Sequence, residues 1–394
     1  MARAARGSMA HGVRGFSMVE LMVAITLALI VSAAVLSVFL ASRSSFQGTS
    51  GTAAVADGGR FALDFIANSL RSAGFMACNT TQRQLSILAP APSPVYANFS
   101  QALMGYEAAG TAPGGAYNVP LASNAAPAAV DSTAADWLSP AGTIPAGLDP
   151  ALIGIAAPAG ETAPMGQILK NNDVLVVYST LRGAQPAYVT NIANGASTFT
   201  VNAPASLAGG QLATISDCAK SVVMWISSVG ANTVTLGAGG WPNNSTSSLP
   251  VSFEVGSQVE PVDATVYYIG LGADGDGALY ALDLNGGGAF TASELVPDIE
   301  AMQVLYGVDT SGTQTVGEYL TADQVVNTAA NPATSFNNVI SVKIALLAAS
   351  QPGVVSPPAA APTYSLLGTT VTAPRDSRAR QVFEVTVSLR NLAP

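Results

Sequence analysis

Residues Arg14 to Ala41 read RGFSMVELMVAITLALIVSAAVLSVFLA, and this stretch decides the architecture. After Gly15 and Phe16 the chain turns apolar, broken by one acid, Glu20, and from Leu21 to Ala41 it runs for 21 residues without a charge. That is about the length at which an α-helix spans a bilayer. A carboxylate at the start of such a segment is costly, which makes Glu20 a functional candidate. The fifteen residues before Phe16 carry Arg3, Arg6 and Arg14 and no acid. This bias holds the N-terminus in the cytoplasm and sends the rest of the chain outward.

An ordinary secretory signal has a shorter apolar region and is cut after it. Here the boundary Gly15-Phe16 precedes the apolar run, so cleavage there leaves the hydrophobic helix on the mature protein. The segment resembles the class III signal of type IV prepilins: a basic leader ending in Gly15, Phe16 as new N-terminus, and Glu20 as fifth mature residue. The resemblance implies that a prepilin peptidase cuts at Gly15-Phe16 and methylates the amino group of Phe16. It also implies an assembly role for Glu20, facing the Phe16-type terminus of a neighbouring subunit in a fibre core as dry as lipid. An unpaired ion there costs several kcal/mol, and such a pair specifies register more than it stabilises. The alternative is an uncleaved signal anchor in which Glu20 is incidental.

Composition fits an exported, acidic protein. Charged residues make up 10% of the chain and the formal net charge is -9. Removing the leader takes three Arg and no acid from the 15 bases and 24 acids, leaving a net of -12. The basic stripe or high pI of a nucleic-acid binder is absent, so no nucleic-acid partner is expected. The only histidine, His11, lies in the leader. Ser-His, Cys-His and His-ligated metal mechanisms are therefore closed to the mature chain, and no enzyme is expected. The two cysteines, Cys78 and Cys218, leave two readings. An oxidising periplasm favours a disulfide between them, closing a loop of about 140 residues; the other reading is two buried thiols.

Beyond the membrane the helix is expected to continue with interruptions, since Ser42 to Gly59 is rich in Ser, Gly and Thr, and Gly58-Gly59 can break it locally. A helical pattern resumes at Arg60, with Phe61, Phe65, Ile66 and Leu70 on one side and Gly74 as its stop. Phe61, Phe65 and Leu70 are expected to bury against a sheet. Residues 79–170 are heavy in Ala, Pro and Gly and show no period. They read as a surface insertion held down by Tyr96, Phe99, Tyr106, Trp137 and Leu148. From Asp173 onward strand signals dominate. Met302, Val304, Tyr306, Val308, then Ile340, Val342, Ile344, Leu346, then Phe383, Val385, Val387, Leu389 alternate with a period of two. Such patterning predicts half-buried strands in an antiparallel sheet with loop excursions. Asp309-Thr-Ser-Gly312 reads as a turn.

The head bears a second resemblance. RFALDFIANSLRSAGFMAC, Arg60 to Cys78, is similar to the helix end and first cysteine of PilW-type minor pilins, and ISDC, Ile215 to Cys218, to their second cysteine. Their core segment is matched by ELVPDIEAMQVLYGVD, Glu294 to Asp309, and the pattern closes with Val339 to Leu347 and Val385 to Asn391. Together these imply an α+β, type IV pilin-like fold, a long N-terminal hydrophobic helix packed on an antiparallel β-sheet head with long loops. The expected organisation is a leader over 1–15, a pilin helix over 16–77 whose part 16–41 spans the membrane, an insertion over 78–172, and a β-rich periplasmic head over 173–394. The implied partners are the prepilin peptidase, other minor pilins, the major pilin and the assembly platform of the bacterial inner membrane. The implied role is assembly and priming of a type IV pilus, with final residence in the fibre or its tip. A type II secretion or competence pseudopilin and a tip adhesin remain as alternatives. No cofactor is expected. Asp283, Asn285 and Glu294 occupy positions 1, 3 and 12 of a calcium-loop template, but Gly287 at position 5 offers no oxygen ligand, and tight turns account for the pattern better.

Overall fold

A computed structural model of the protein describes residues 17–80, 84–89, 99–119, 137–138, 166, 168–240, 243–285, 289–325 and 336–391. It divides into two compact units, Met1–Gly51 and Thr52–Pro394. One helix, α1 (Met18–Ser72), is followed by strands alone apart from a single 3-10 turn, Phe336–Asn338, among the described residues. These are β1 (Phe75–Met76), β2 (Asn79–Thr80), β3 (Gln84–Ser86), β4 (Leu103–Ala108), β5 (Ala116–Asn118), β6 (Trp137–Leu138) and β7 (Val174–Thr180). Next come β8 (Ala187–Ile192), β9 (Thr198–Val201), β10 (Gln211–Ser216), β11 (Ser221–Val229), β12 (Thr233–Leu236), β13 (Gln258–Leu271) and β14 (Gly277–Asn285). The last are β15 (Ala289–Pro297), β16 (Ile299–Val308), β17 (Glu318–Leu320), β18 (Val339–Ala349), β19 (Thr363–Leu366), β20 (Thr369–Thr372) and β21 (Arg380–Ser388). The molecule is thus α+β, and the pairings between its described strands are antiparallel except β3 on β11 and β5 on β20.

The long strand β13 joins two halves of a 12-stranded sheet. Its first residues pair with β8 and β10, and its later ones with β7 and β14. Around β8 to β12 lies a separate core with Ile215, Met224, Ile226, Phe199 and Val259. The main core lies between the other half, the four-stranded sheet β17-β16-β18-β21, and the helix residues from Val55 onward.

In the four-stranded sheet Met302 faces Leu346, which faces Phe383; Val304 faces Ile344, then Val385; and Tyr306 faces Val342, then Val387. The period of two is therefore the face turned to the main core. One position differs: a register shift after Gly307 sets Val308 opposite Val339, so Val339 is buried and Ile340 only half buried. A larger difference is that this sheet is not half exposed. Ala301, Ala345, Leu347 and Val382, on its second face, pack against Leu366 and Val371 of the three-stranded sheet β19-β20-β5.

In the described parts of residues 79–170, that third sheet and the strands beside it differ from the expected surface excursion. β5 comes from this segment, and β4 is buried along its whole length between β7 and β6. Phe99 and Tyr106 are fully buried, as expected of anchors. Tyr96 and Leu148 lie outside the described residues, and of Trp137 only the backbone, in β6, is described.

Gly58-Gly59 does not break α1. A Cβ at Gly59 would overlap the Phe383 ring, so glycine here serves close approach of helix to sheet. The helix buries the stripe Val55, Gly59, Ala62, Ile66 and Leu70, together with Leu63, Ala67 and Ser69. Phe61, expected in the core, is 57% exposed and leans edge-on against half-buried Phe65 at 4.7 Å. Small residues, not the large Phe61, face the sheet because the backbone lies so near it. Gly74 does end the helix as expected: its φ is +73°, and its N–H donates to Tyr178 O at 2.8 Å. The Asn391 side chain donates to the terminal carbonyls of Arg71 and Ala73.

Candidate assembly segment and its head

The helix begins where the sequence turns apolar. Ser17 O accepts the Leu21 N–H at 3.0 Å, the first bond of α1, and Glu20 stands in the first turn. An acid in that turn suits the positive end of the helix dipole. The apolar side chains from Met18 to Leu40 are exposed, and α1 is long and apolar enough to cross a membrane, with a mean hydropathy of 2.7 in its best window. Hydroxyls within the segment are satisfied locally: Thr26 donates to Val23 O at 2.9 Å and Ser37 to Ala34 O at 2.8 Å. Apolar solvent therefore meets no orphan donor at these two positions. Gly15 and Phe16 lie outside the described residues.

Cys78 and Cys218 form a disulfide, with Cα atoms 4.7 Å apart. Both cysteines are exposed. The bridge ties the end of α1, through the β1–β2 turn, to the turn between β10 and β11. Cys218 takes a φ of +67° in that turn, where its N–H donates to the Ser216 hydroxyl and Asp217 accepts from the N–H groups of Ala219 and Lys220.

Asp283, Asn285 and Glu294 are not gathered round a loop. They lie on the two strands of the β14–β15 hairpin, with Asp283 opposite Thr291 and Glu294 opposite Tyr280. Asp283 accepts from the Thr265 hydroxyl at 2.8 Å and Glu294 from Tyr280 at 3.0 Å. The tip, 286–288, lies outside the described residues. Three other carboxylates, Asp274, Asp276 and Asp298, come within 4.8 Å of one another. Protein donors serve them: Arg378 pairs with Asp276 and Asp298, and the Gln351 amide reaches Asp298 at 2.9 Å and Asp274 at 3.3 Å. Asp309 is the turn residue expected, accepting from the N–H groups of Ser311, Gly312, Thr313 and Gln314.

Two acids that the sequence did not single out lie inside the head. Asp173 accepts the Ala108 N–H of β4 at 2.9 Å and the Val304 N–H of β16 at 2.8 Å, fastening the large sheet to the four-stranded one. Glu107 accepts from the Thr111 hydroxyl at 3.1 Å, and its second oxygen has no hydrogen-bond partner among the described residues. Burial, then the Asp173 charge, raises the Glu107 pKa to about 9. Burial also raises Asp173, to about 7, against the two backbone N–H groups that favour its ionised form. No local pattern marks either acid, since each is defined by strands distant in sequence.

Residues 11–36 match the model of the prokaryotic N-terminal methylation motif, and residues 266–391 match that of the type IV pilus-assembly protein W family, PilW. The two ends of this chain are thus similar to known families, one to the methylation motif and the other to PilW. The PilW match begins in the middle of β13 and runs through the β14–β15 hairpin and the four-stranded sheet to Asn391. It therefore contains the sheet on which Gly59 is seated. Among solved structures the chain is similar to a type IV-like pilin from Thermus thermophilus, with 19% identity over 47% of this chain and 87% of that one and a TM-score of 0.20. At that score the likeness adds nothing to the fold described above. The comparison with curated proteins found no match.

Proposed function

We propose that this protein is a PilW-type minor pilin and a priming subunit of a type IV pilus. In this reading a prepilin peptidase removes residues 1–15 at Gly15-Phe16 and methylates Phe16. The product sits in the bacterial inner membrane by α1, with its N-terminus cytoplasmic and its head periplasmic. It then joins other minor pilins and the major pilin at the assembly platform, and stays at or beneath the fibre tip. Twitching motility, adhesion or DNA uptake would follow from the fibre it starts. The observation that carries the reading is the presence of both a methylation motif and a PilW domain in one chain.

Glu20 has a defined task here. It lies four positions after Phe16, and both would enter a fibre core built of apolar helices. The ammonium of a neighbour's Phe16 then requires a counter-charge, because a buried unpaired ion costs several kcal/mol. Intact mass and N-terminal sequencing of the protein from its native membrane should give a chain starting at methylated Phe16; a chain starting at Met1 would overturn the reading. Glu20→Ala should leave membrane level and head melting unchanged while reducing surface fibres by about tenfold or more, the consequence of an orphaned charge. Normal fibre numbers in that variant would remove Glu20 from assembly.

A further inference from the structure

β21 is one border of the four-stranded sheet. It pairs with β18 over nine residues without a register shift, from Ser341 opposite Ser388 to Ala349 opposite Arg380. Leu389 N–H donates to Ile340 O at 2.9 Å, and Ser350 N–H donates to Ala379 O at 2.8 Å. Positions 379 and 389 therefore turn their backbone groups toward β18. In an antiparallel ladder that direction alternates residue by residue. Gln381, Phe383, Val385 and Val387 also face β18, while Val382, Glu384, Thr386 and Ser388 present N–H and C=O outward. None of these four backbones bonds to another segment among the described residues. The opposite border, β17, has only three residues.

Proteins usually blunt a long sheet border with Pro, Lys, a bulge or a covering segment, because open backbone groups template pairing with another chain. The β21 sequence, RQVFEVTVS, has no Pro, Gly or Lys, and its pairing has no bulge. Its one base, Arg380, is 1% exposed and engaged with Glu300 and Asp376. β-branched residues fill much of the rest, as in a strand built for pairing.

We propose that the outer border of β21 is a docking edge that receives an extended strand from a different subunit, by β-augmentation. The inference rests on the reading of the protein as part of an assembly and names where and how it meets a neighbour. The faces of β21 say what that strand carries. On the main-core side Phe383 and Val385 are half buried beside the helix stripe, so the incoming strand presents apolar side chains there at alternate positions. On the other side Glu384 is exposed and has no ion-pair partner among the described residues, so the incoming strand places a Lys or Arg against it. A second copy of this chain fits poorly: border-to-border pairing would bring Glu384 toward its own counterpart, between two chains that each carry a net negative charge.

The test uses full-length protein in its native cells, with a benzophenone amino acid at exposed Ser388 and a control probe at Val255, which is 69% exposed in a turn. Light should produce an adduct from Ser388, absent at Val255, whose mapped peptide is an alternating strand of another pilus subunit. Thr386→Pro removes only an outward N–H, so the head should melt within a few degrees of the parent while the adduct falls at least tenfold. Glu384→Lys, which leaves the backbone intact, should lower it likewise by repelling the basic residue. An adduct with a second copy, an adduct on a helix, yields no greater than at Val255, or yields unchanged in both variants would overturn the edge. N-terminal sequencing in the same cells keeps the two readings apart. Processed chain without the strand adduct sinks only the edge, whereas the adduct on unprocessed chain sinks only the pilin role.

Discussion

Replacing Cys78 and Cys218 together by Ser should lower the unfolding free energy of the head by about 2–5 kcal/mol and its melting temperature by several degrees. The bridge spans a sequence separation of 140, so in the unfolded chain it removes more loop entropy than a local bridge would. Its position adds a structural reason. The core around β8 to β12 is separate from the main core, and the two are joined through β13, through β10 and β11, whose Leu212, Val223 and Trp225 lie in the main core, and through this bridge. Without it the β10–β11 end is expected to open first, as faster amide exchange at Ile215 and Val222 before any change at Val304 or Ile344. An unaltered melting curve after reduction would show that the sheet pairings alone hold the two cores together.

Head stability should fall as pH rises, by about 4 kcal/mol between pH 5 and pH 8 for one proton held by the folded chain and absent from the unfolded one. The group responsible is the Glu107–Asp173 pair. Burial raises both carboxyls above their ordinary values, Glu107 to about 9 and Asp173 to about 7. A carboxyl whose pKa is higher folded than unfolded holds its proton better in the folded state. Its contribution is complete below about pH 4 and is lost as pH climbs through the folded value. We place the proton on Glu107, because Asp173 accepts two backbone N–H groups, which favour its ionised form. Asp323 adds negative charge nearby, and the buried Tyr306 hydroxyl, without a partner among the described residues, faces the same acids. Glu107→Gln keeps an acceptor for Thr111 and cannot ionise, so it should raise the melting temperature at pH 8, leave it unchanged near pH 4, and flatten the profile between. Asp173→Ala should instead destabilise the head at every pH, because it strands the N–H groups of Ala108 and Val304 in the interior. A pH profile that Glu107→Gln leaves intact would assign the titration elsewhere.

Much of the fold was legible because its causes are local. The charge-free run after Glu20 carries the long apolar helix through its own hydropathy, whatever the head does. The alternation in β16, β18 and β21 carries strand identity and the inward face, because successive side chains of a strand point to opposite sides. The two cysteines needed only a count and a compartment. Where the reading failed, the missing information was non-local. Gly59 looks like a helix breaker until Phe383, more than three hundred residues later, is seen lying over it. Phe61 looks like a core residue until the helix proves to be rolled toward Gly59 and Ala62 so that its backbone can come close. β4 looks like part of a loop because its burial is supplied by β7 and its other neighbours rather than by any pattern of its own.

By itself the sequence determined that this chain has a long apolar helix behind a basic leader, a β-rich acidic head, and a set of strands with a core face. Those properties follow from hydropathy, charge and side-chain period, which act over a few residues. Tertiary structure alone decided which side of α1 meets the sheet, that the four-stranded sheet is covered on both faces, that two acids are buried at the junction of two sheets, and that β21 keeps a border open among the described residues. Each of these depends on which distant segments are brought together. Pairing energy is summed over the whole register, while no stretch of either partner records it.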